Sequence, residues 1–294
     1  YNVIMEFNFI LPENFIPQVL SDLLEKTWLV PRKQRHFLRM KKHALVNDQI
    51  IDENQLLHAG DKVTLIFDKK DFSNLSLKFG SASLADILYE DEHLIVVNKP
   101  EGMKTHGNTA DEIALQNHVE AAINQNVFVV HRLDQATSGA VLFAKNQFVL
   151  PILGKMFEEN KIHREYLALV AGHFLEETFT INQAIGQNRH EKNKRIISKH
   201  GQKAITHVQL IQNFTDKSLV KCILDTGRTH QIRVHLSSLG HPIIGDALYG
   251  QKSTSRLMLH AESIIIPHPF TNQLLNISAP SPSFSNILNK IKKK

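Results

Sequence analysis

The most chemically loaded stretch of this chain is His131-Arg132-Leu133-Asp134-Gln135-Ala136-Thr137-Ser138-Gly139, with a carboxylate at its centre. An apolar run over 127–130 leads into it and another over 140–144 leads out, a pattern of strand, loop, strand. Packing of the strands would fix the backbone while the loop leaves Asp134 reachable. Such a carboxylate can serve as a nucleophile or as a base. An Arg-x-Asp triplet at a strand end is equally the composition of a surface ion pair or a loop cap. On this stretch alone the ion pair or loop cap is the commoner reading.

A second stretch, 225–246, carries Arg228, His230 and His235. Gly227 allows a turn, Thr229 suits a helix N-cap, Ile232, Leu236 and Leu239 form a helical stripe, and Gly240 stops it. Arg228 is thereby expected at a helix start, where backbone N–H groups favour a carboxylate or a phosphate. The histidines invite a metal, but His230 and His235 do not share a helix face as an i, i+4 pair would, and no Cys or Glu stands at ligand spacing. No metal is expected. No Gly-rich phosphate loop opens a helix after a strand, and no Gly-x-Ser-x-Gly elbow is present, so nucleotide-cofactor and serine-hydrolase chemistry are not indicated.

The elements that must position these groups fall into two units. Of 294 residues, 42% are hydrophobic and 21% charged, the composition of an ordinary globular protein of about two domains. The single cysteine, Cys222, excludes an internal disulfide, fits a reducing compartment and stands in an apolar strand-like run. No apolar run is long enough to span a bilayer. A net charge of +5 and a pI near 9.1 permit an anionic partner.

Residues 1–70 form the smaller unit. It is expected to hold a strand over 3–11, a helix over 14–28, and a basic helix with Arg35, Arg39, Lys41 and Lys42. A hairpin turning at Asn47-Asp48 and a strand over 62–67 follow. The basic run is either a solvated helix face or a phosphate-tracking one. Residues 71–83 read as a linker, with the larger unit over 84–294. In the larger unit, strands are expected over 87–99, 164–171, 204–225 and 256–267, helices over 109–125 and 147–161, a polar loop over 187–195 and a frayed C-terminal tail.

Four segments, in order, carry a family resemblance: Asn98-Lys99-Pro100-Glu101-Gly102 with His106 after it, the His131–Gly139 stretch, Arg164-Glu165-Tyr166-Leu167-Ala168-Leu169-Val170, and Asp225–Asp246. Together they resemble the RluA-type RNA pseudouridine synthases, and the N-terminal unit is similar to an S4-type RNA-binding module. Thr105 stands where that family more often has Val. The resemblance implies an α+β fold, a mostly antiparallel mixed sheet with flanking helices and the site in a cleft across it. It implies Asp134 as the essential carboxylate, Arg228 as its partner and Tyr166 packed on the target uracil. His131, Arg132, Lys99, His106 and Thr137 are implied as RNA contacts, with Lys99 also plausible as an edge-guarding lysine. The implied reaction, uridine to pseudouridine in ribosomal or transfer RNA, is an isomerisation without a cofactor, in the cytoplasm and without an obligatory protein partner. The alternative from another class is a non-catalytic RNA-binding protein built on a retired synthase domain.

Overall fold

The computed structural model describes residues 4–72, 76, 80–109, 111–251 and 253–293, so 73–75 and 77–79 of the expected linker lie outside the described residues. The N-terminal unit opens on β1 (Ile4–Ile10), followed by β2 (Gln18–Val19), α1 (Leu20–Asp22) and α2 (Arg32–Lys41). Next come β3 (Ala44–Val46), β4 (Gln49–Ile50), β5 (Leu56–Leu57) and β6 (Lys62–Asp68). A four-stranded sheet runs in the order β1-β6-β3-β4. Asn47 and Asp48 both take positive φ, 50° and 63°, the geometry of a two-residue hairpin turn whose twist matches the strands.

The helix expected over 14–28 is only half formed. Pro17 lacks the N–H a helix needs, so 18–19 is extended, and α1 widens into a π-helical turn at Leu23–Thr27. That turn seats Leu23, Leu24 and Trp28 together in the core.

The larger unit contains β7 (Asp86–Glu90), β8 (Leu94–Lys99), α3 (Leu115–Ile123), β9 (Phe128–Val129), β10 (Ser138–Ala144) and α4 (Val149–Glu158). It continues with β11 (His163–Ala171), β12 (Thr178–Asn182), the pair β13 (Ile185–Gln187) and β14 (Arg195–Ile197), β15 (Ile205–Asn213) and β16 (Lys217–Leu224). It ends with α5 (Gln231–Ser238), β17 (Leu259–Pro267), β18 (Leu274–Ser278) and α6 (Pro282–Lys292). The main sheet runs β12-β15-β16-β11-β17-β10-β8-β7, with β18 against β17 and β9 against β10. Every pairing in it is antiparallel except β10 with β17, so the sheet is mixed as expected. The sequence pattern predicts no helix over 282–290, which α6 supplies: Ser281 accepts from Phe284 N–H as its N-cap, and Phe284 and Leu288 are buried. Of the tail expected to fray over 291–294, Ile291 and Lys292 complete the helix, and residue 294 lies outside the described residues.

Alternation along the central strands builds two cores. Ile95, Val97, Val141 and Phe143 face one way, against Leu115 and Val119 of α3, Ile232 and Leu236 of α5, and Phe284 of α6. Leu94, Val96, Leu142 and Ala144 face the other way, against α4 and against the N-terminal unit. That second core is continuous between the units. Phe7 stacks on Phe148 at 5.1 Å, Phe9 lies 4.6 Å from Phe270, and Trp28 meets Phe270 edge-on at 5.3 Å. Because both faces are covered, the central strands are almost uninterrupted apolar runs. No helix among the described residues is long and apolar enough to cross a membrane.

Two outcomes are expected. Phe148→Ala opens a cavity where the two units meet and costs about 3–5 kcal/mol. Urea unfolding followed by Trp28 fluorescence and by far-ultraviolet circular dichroism should show both transitions moving together, whereas movement of one alone would mean that the units unfold separately. His93 sits among these aromatic rings, and burial pushes its pKa down to about 4 from the ordinary 6.5. Between those values the unfolded chain binds a proton that the folded chain refuses, so stability is complete above pH 6.5 and falls as the pH drops toward 4. The slope is at most about 1.4 kcal/mol per pH unit for such a group. His93→Gln should flatten the acid limb of a stability–pH series.

Candidate active site

The loop that carries Asp134 is held from beneath by groups expected to touch RNA. Lys99 is fully buried; its Nζ donates to the carbonyls of Pro100, Met103 and Gln135 at 3.0, 2.6 and 3.1 Å. It straps two loops together and is neither a phosphate contact nor an edge guard, and burial pushes its pKa down to about 7. The Thr105 hydroxyl donates to Leu133 O at 3.0 Å and accepts from Leu133 N–H at 3.1 Å. A valine there could make neither bond. Gly102 N–H donates to Gln135 O at 2.8 Å, and Thr137 N–H closes the turn onto Asp134 O at 3.0 Å. Gly139 has φ +121°, and a Cβ there would lie 2.1 Å from Ala261 O, so only glycine lets β10 approach β17 at the parallel junction.

Asp134 projects into a cavity of about 480 Å³ lined by Arg132, Thr137, Arg164, Tyr166, Arg228, His230 and Arg233. The arginine against it is Arg233, not Arg228. Arg233 Nη1 stands 3.4 Å from Asp134 Oδ2, while the Nε of exposed Arg228 donates to Lys203 O at 3.0 Å. The reason is helix phase. His230, not Thr229, is the N-cap, in a left-handed conformation with φ 58°, so α5 begins at Gln231 and Arg233 lies in its first turn. The Gln231 side chain accepts Arg228 N–H and the Thr226 hydroxyl, which leaves the Arg228 guanidinium outside.

Arg233 is fixed from behind. Its Nε and Nη2 donate to the two oxygens of Asp246 at 2.8 Å each, and its guanidinium lies 5.1 Å from the Tyr249 ring centroid. Asp246 is 1% exposed and also accepts the N–H groups of Leu248 and Tyr249. Burial works to raise the Asp246 carboxyl, but Arg233 overrides it and holds the carboxyl below the usual range. Burial likewise works against the charge on Arg233, and Asp246 reverses this, raising its pKa.

Tyr166 is 4% exposed, and burial raises its pKa, so at neutral pH it is a phenol at the cavity wall. Thr137 is buried and lines the cavity; Arg132 is exposed beside it. His131 uses Nε2 to accept Leu142 N–H at 3.0 Å and packs on Phe157, and burial pushes its pKa down to about 3. It props β10 from the wall of the cavity. His106 is half-buried, with Arg132 among the charges lowering its pKa after burial.

The basic helix α2 is partly neutralised. Arg35 forms a two-pronged pair with Glu25, and Lys41 is held by Asp68 and Asp71, both at 2.8 Å. Arg39 and Lys42 stay exposed and line a groove with Arg32 and Lys33. The polar loop expected over 187–195 reaches the site from the far side: Lys192, Asn193 and Arg195 line a second cavity that shares Arg132, Asp134 and Arg233 with the first. Among the described residues no group of three or more His, Cys, Asp or Glu could hold a metal. Sequence reasoning missed Arg233 as the partner of Asp134, and missed Asp246 and Tyr249 altogether. A charged residue inside the apolar stripe of α5 was the available signal.

Residues 93–238 match the RNA pseudouridylate synthase family, and residues 7–63 match the RluD ribosomal pseudouridine synthase N-terminal domain. The chain is 38% identical over 249 residues to the uncharacterized RNA pseudouridine synthase YhcT of Bacillus subtilis, spanning 81% of each protein. It is 32% identical over 271 residues to ribosomal large subunit pseudouridine synthase C of Escherichia coli, spanning 85% of each. Among solved structures it resembles human RNA pseudouridylate synthase domain containing 1, with TM-score 0.58 and 27% identity over 74% of this chain and 98% of that one.

Asp246→Ala would strand the Arg233 guanidinium without its carboxylate. Loss of one partner of a buried pair costs about 3–5 kcal/mol. A urea midpoint unchanged from the wild type would show that the pair is not the anchor described.

Proposed function

This chain belongs to the RNA pseudouridylate synthase family, and from that premise we propose that it converts uridines of structured ribosomal RNA to pseudouridine with Asp134 as the essential carboxylate. In the reaction the N1–C1′ bond of the nucleotide breaks and a C5–C1′ bond forms. The C5 hydrogen leaves as a proton and N1 gains one. Atoms and charge balance without an oxidant, a reductant or an energy source, so the protein need only hold and orient the pieces.

The observation that carries this reading is the Asp134 carboxylate, aimed into a cavity with Arg233 beside it and Tyr166 at the wall; of the other carboxylates lining that cavity, Asp225 meets His207 and Glu158 meets Lys155. Attack on the ribose and removal of a proton from it both use a carboxylate in that place. Arg233 orients the carboxylate, and the flat buried ring of Tyr166 is suited to pack on a uracil. A base stacked in RNA cannot reach the cavity, so the nucleotide flips out at a cost of about a few kcal/mol. Arg132, exposed and lining both cavities, is the side chain we assign to the vacated stack. Ribosomal RNA is favoured over transfer RNA because relatives spanning most of this chain are named for the large ribosomal subunit. Arg39 and Lys42 on the N-terminal groove supply phosphate contacts, a sequence-independent and salt-sensitive contribution.

Asp134→Asn is expected to lower turnover by at least about 10³-fold while RNA affinity stays within about twofold, as removal of an essential reacting group does. Tritium release from ribosomal RNA labelled at uridine C5 reads turnover, and filter binding reads affinity. Equal losses in both would mark the carboxylate as a binding group and favour the non-catalytic alternative.

A further inference from the structure

His230 turns one ring nitrogen toward Asp134, and it is tied at its other end. Its Nε2 stands 3.8 Å from Asp134 Oδ2, and its Nδ1 lies 2.8 Å from the Tyr249 hydroxyl. That hydroxyl also accepts the backbone N–H of Arg195 at 2.8 Å. A phenol has one hydrogen. With Arg195 N–H already directed at its oxygen, donation to Nδ1 is the arrangement that uses that hydrogen, whereas a second acceptance from Nδ1–H would leave it unused; a neutral imidazole bonded in the first way carries its own hydrogen on Nε2. The hydrogen then points at Asp134.

We propose that Tyr249 and His230 form a tautomer-fixing relay that presents an Nε2–H donor to the Asp134 carboxylate, beside Arg233, and that both are positioning residues of the reaction. The proposal deepens the synthase reading and rests on it for the kinetic consequence, though not for the tautomer. Three further observations converge. His230 takes a left-handed backbone, φ 58°, a conformation unfavourable for a residue with a side chain, and it does so at the N-cap where it meets both partners. Tyr249 is fixed at every end: its ring lies under Arg233, its N–H on Asp246, and its carbonyl accepts the Ser237 hydroxyl at 3.0 Å. Its tie to Arg195 joins the relay to β14, at the end of the polar loop that borders the second cavity.

The charged groups around the imidazole are Asp134, Arg233 on α5, Arg195 on β14, and Asp246. Burial leads the forces that lower the His230 pKa, Arg233 and Arg195 act with it, and Asp134 and Asp246 act against it. A neutral ring results, which is the state in which a tautomer matters. Loss of the Tyr249 hydroxyl frees Nδ1 to carry the hydrogen. The Nε2 lone pair would then face a carboxylate, and protonation of the ring becomes easier.

The test uses the full chain labelled with ¹⁵N-histidine, with the His230→Gln spectrum identifying the His230 signals. At pH 7 the wild type should show Nε2 protonated and Nδ1 as acceptor. Tyr249→Phe keeps the ring under Arg233 and should show a mixture of tautomers. In single-turnover tritium release the same variant should lose about tenfold or more in rate. RNA affinity should be unchanged, and the acid limb of its rate profile should move to higher pH. A wild-type His230 that carries its hydrogen on Nδ1, or is doubly protonated at pH 7, overturns the relay. So does a Tyr249→Phe enzyme with the wild-type rate and profile. If no RNA is turned over by the wild type, the synthase reading fails, while the tautomer measurement still decides the relay.

Discussion

A guanidinium can be taken out of water only if a carboxylate goes with it, and the site described here depends on that constraint. Arg233 and Asp246 satisfy one another through two parallel hydrogen bonds in a place where neither could stand alone. Because Asp246 is also bonded to the backbone of Leu248 and Tyr249, the pair fixes the segment after Gly245 against α5. Arg233 then has one nitrogen left over, and that nitrogen meets Asp134. The Asp134 carboxylate is therefore positioned by an ion pair in which it takes no part. The longer distance from Arg233 to Asp134 suits a group that must also engage substrate, since catalytic contacts commonly tighten only once the complex forms.

The same division recurs beneath the loop. Lys99, Thr105 and Gln135 spend their polar atoms on backbone groups of the two loops that meet at Asp134. Lys99 and Thr105 carry a charge or a hydroxyl that resembles a substrate contact in a linear sequence, yet both are buried and satisfied. Arg132 and Arg228 remain exposed at the mouth of the cavity.

How far the molecule was legible in its sequence follows from range. Period-two apolar runs, the Asn47-Asp48 turn and the stop at Gly240 are local signals, and the mixed sheet came through them together with the family resemblance. Partnerships between distant segments were not legible. Lys41 is neutralised by Asp68 and Asp71, and Arg35 by Glu25, and nothing in the basic run announces either. The choice of Arg228 over Arg233 was an error of helix phase, because capping preference favoured Thr229 while the packing of Gln231 and His230 set the start of α5. The helix expected over 14–28 failed at Pro17, a signal that was present and outweighed by the spacing of the leucines.

The aromatic contact between the two units bears on how an RNA is chosen. Phe7, Phe9 and Trp28 share one core with Phe148 and Phe270, so the N-terminal groove and the cavity at Asp134 belong to one solid body, not to beads on a string. A tethered module raises affinity through effective concentration and tolerates many spacings between its two footprints. A solid body behaves as a caliper. It pays no ordering entropy when both ends engage, and it gives up the second contact whenever the two footprints on an RNA are set at another distance or angle.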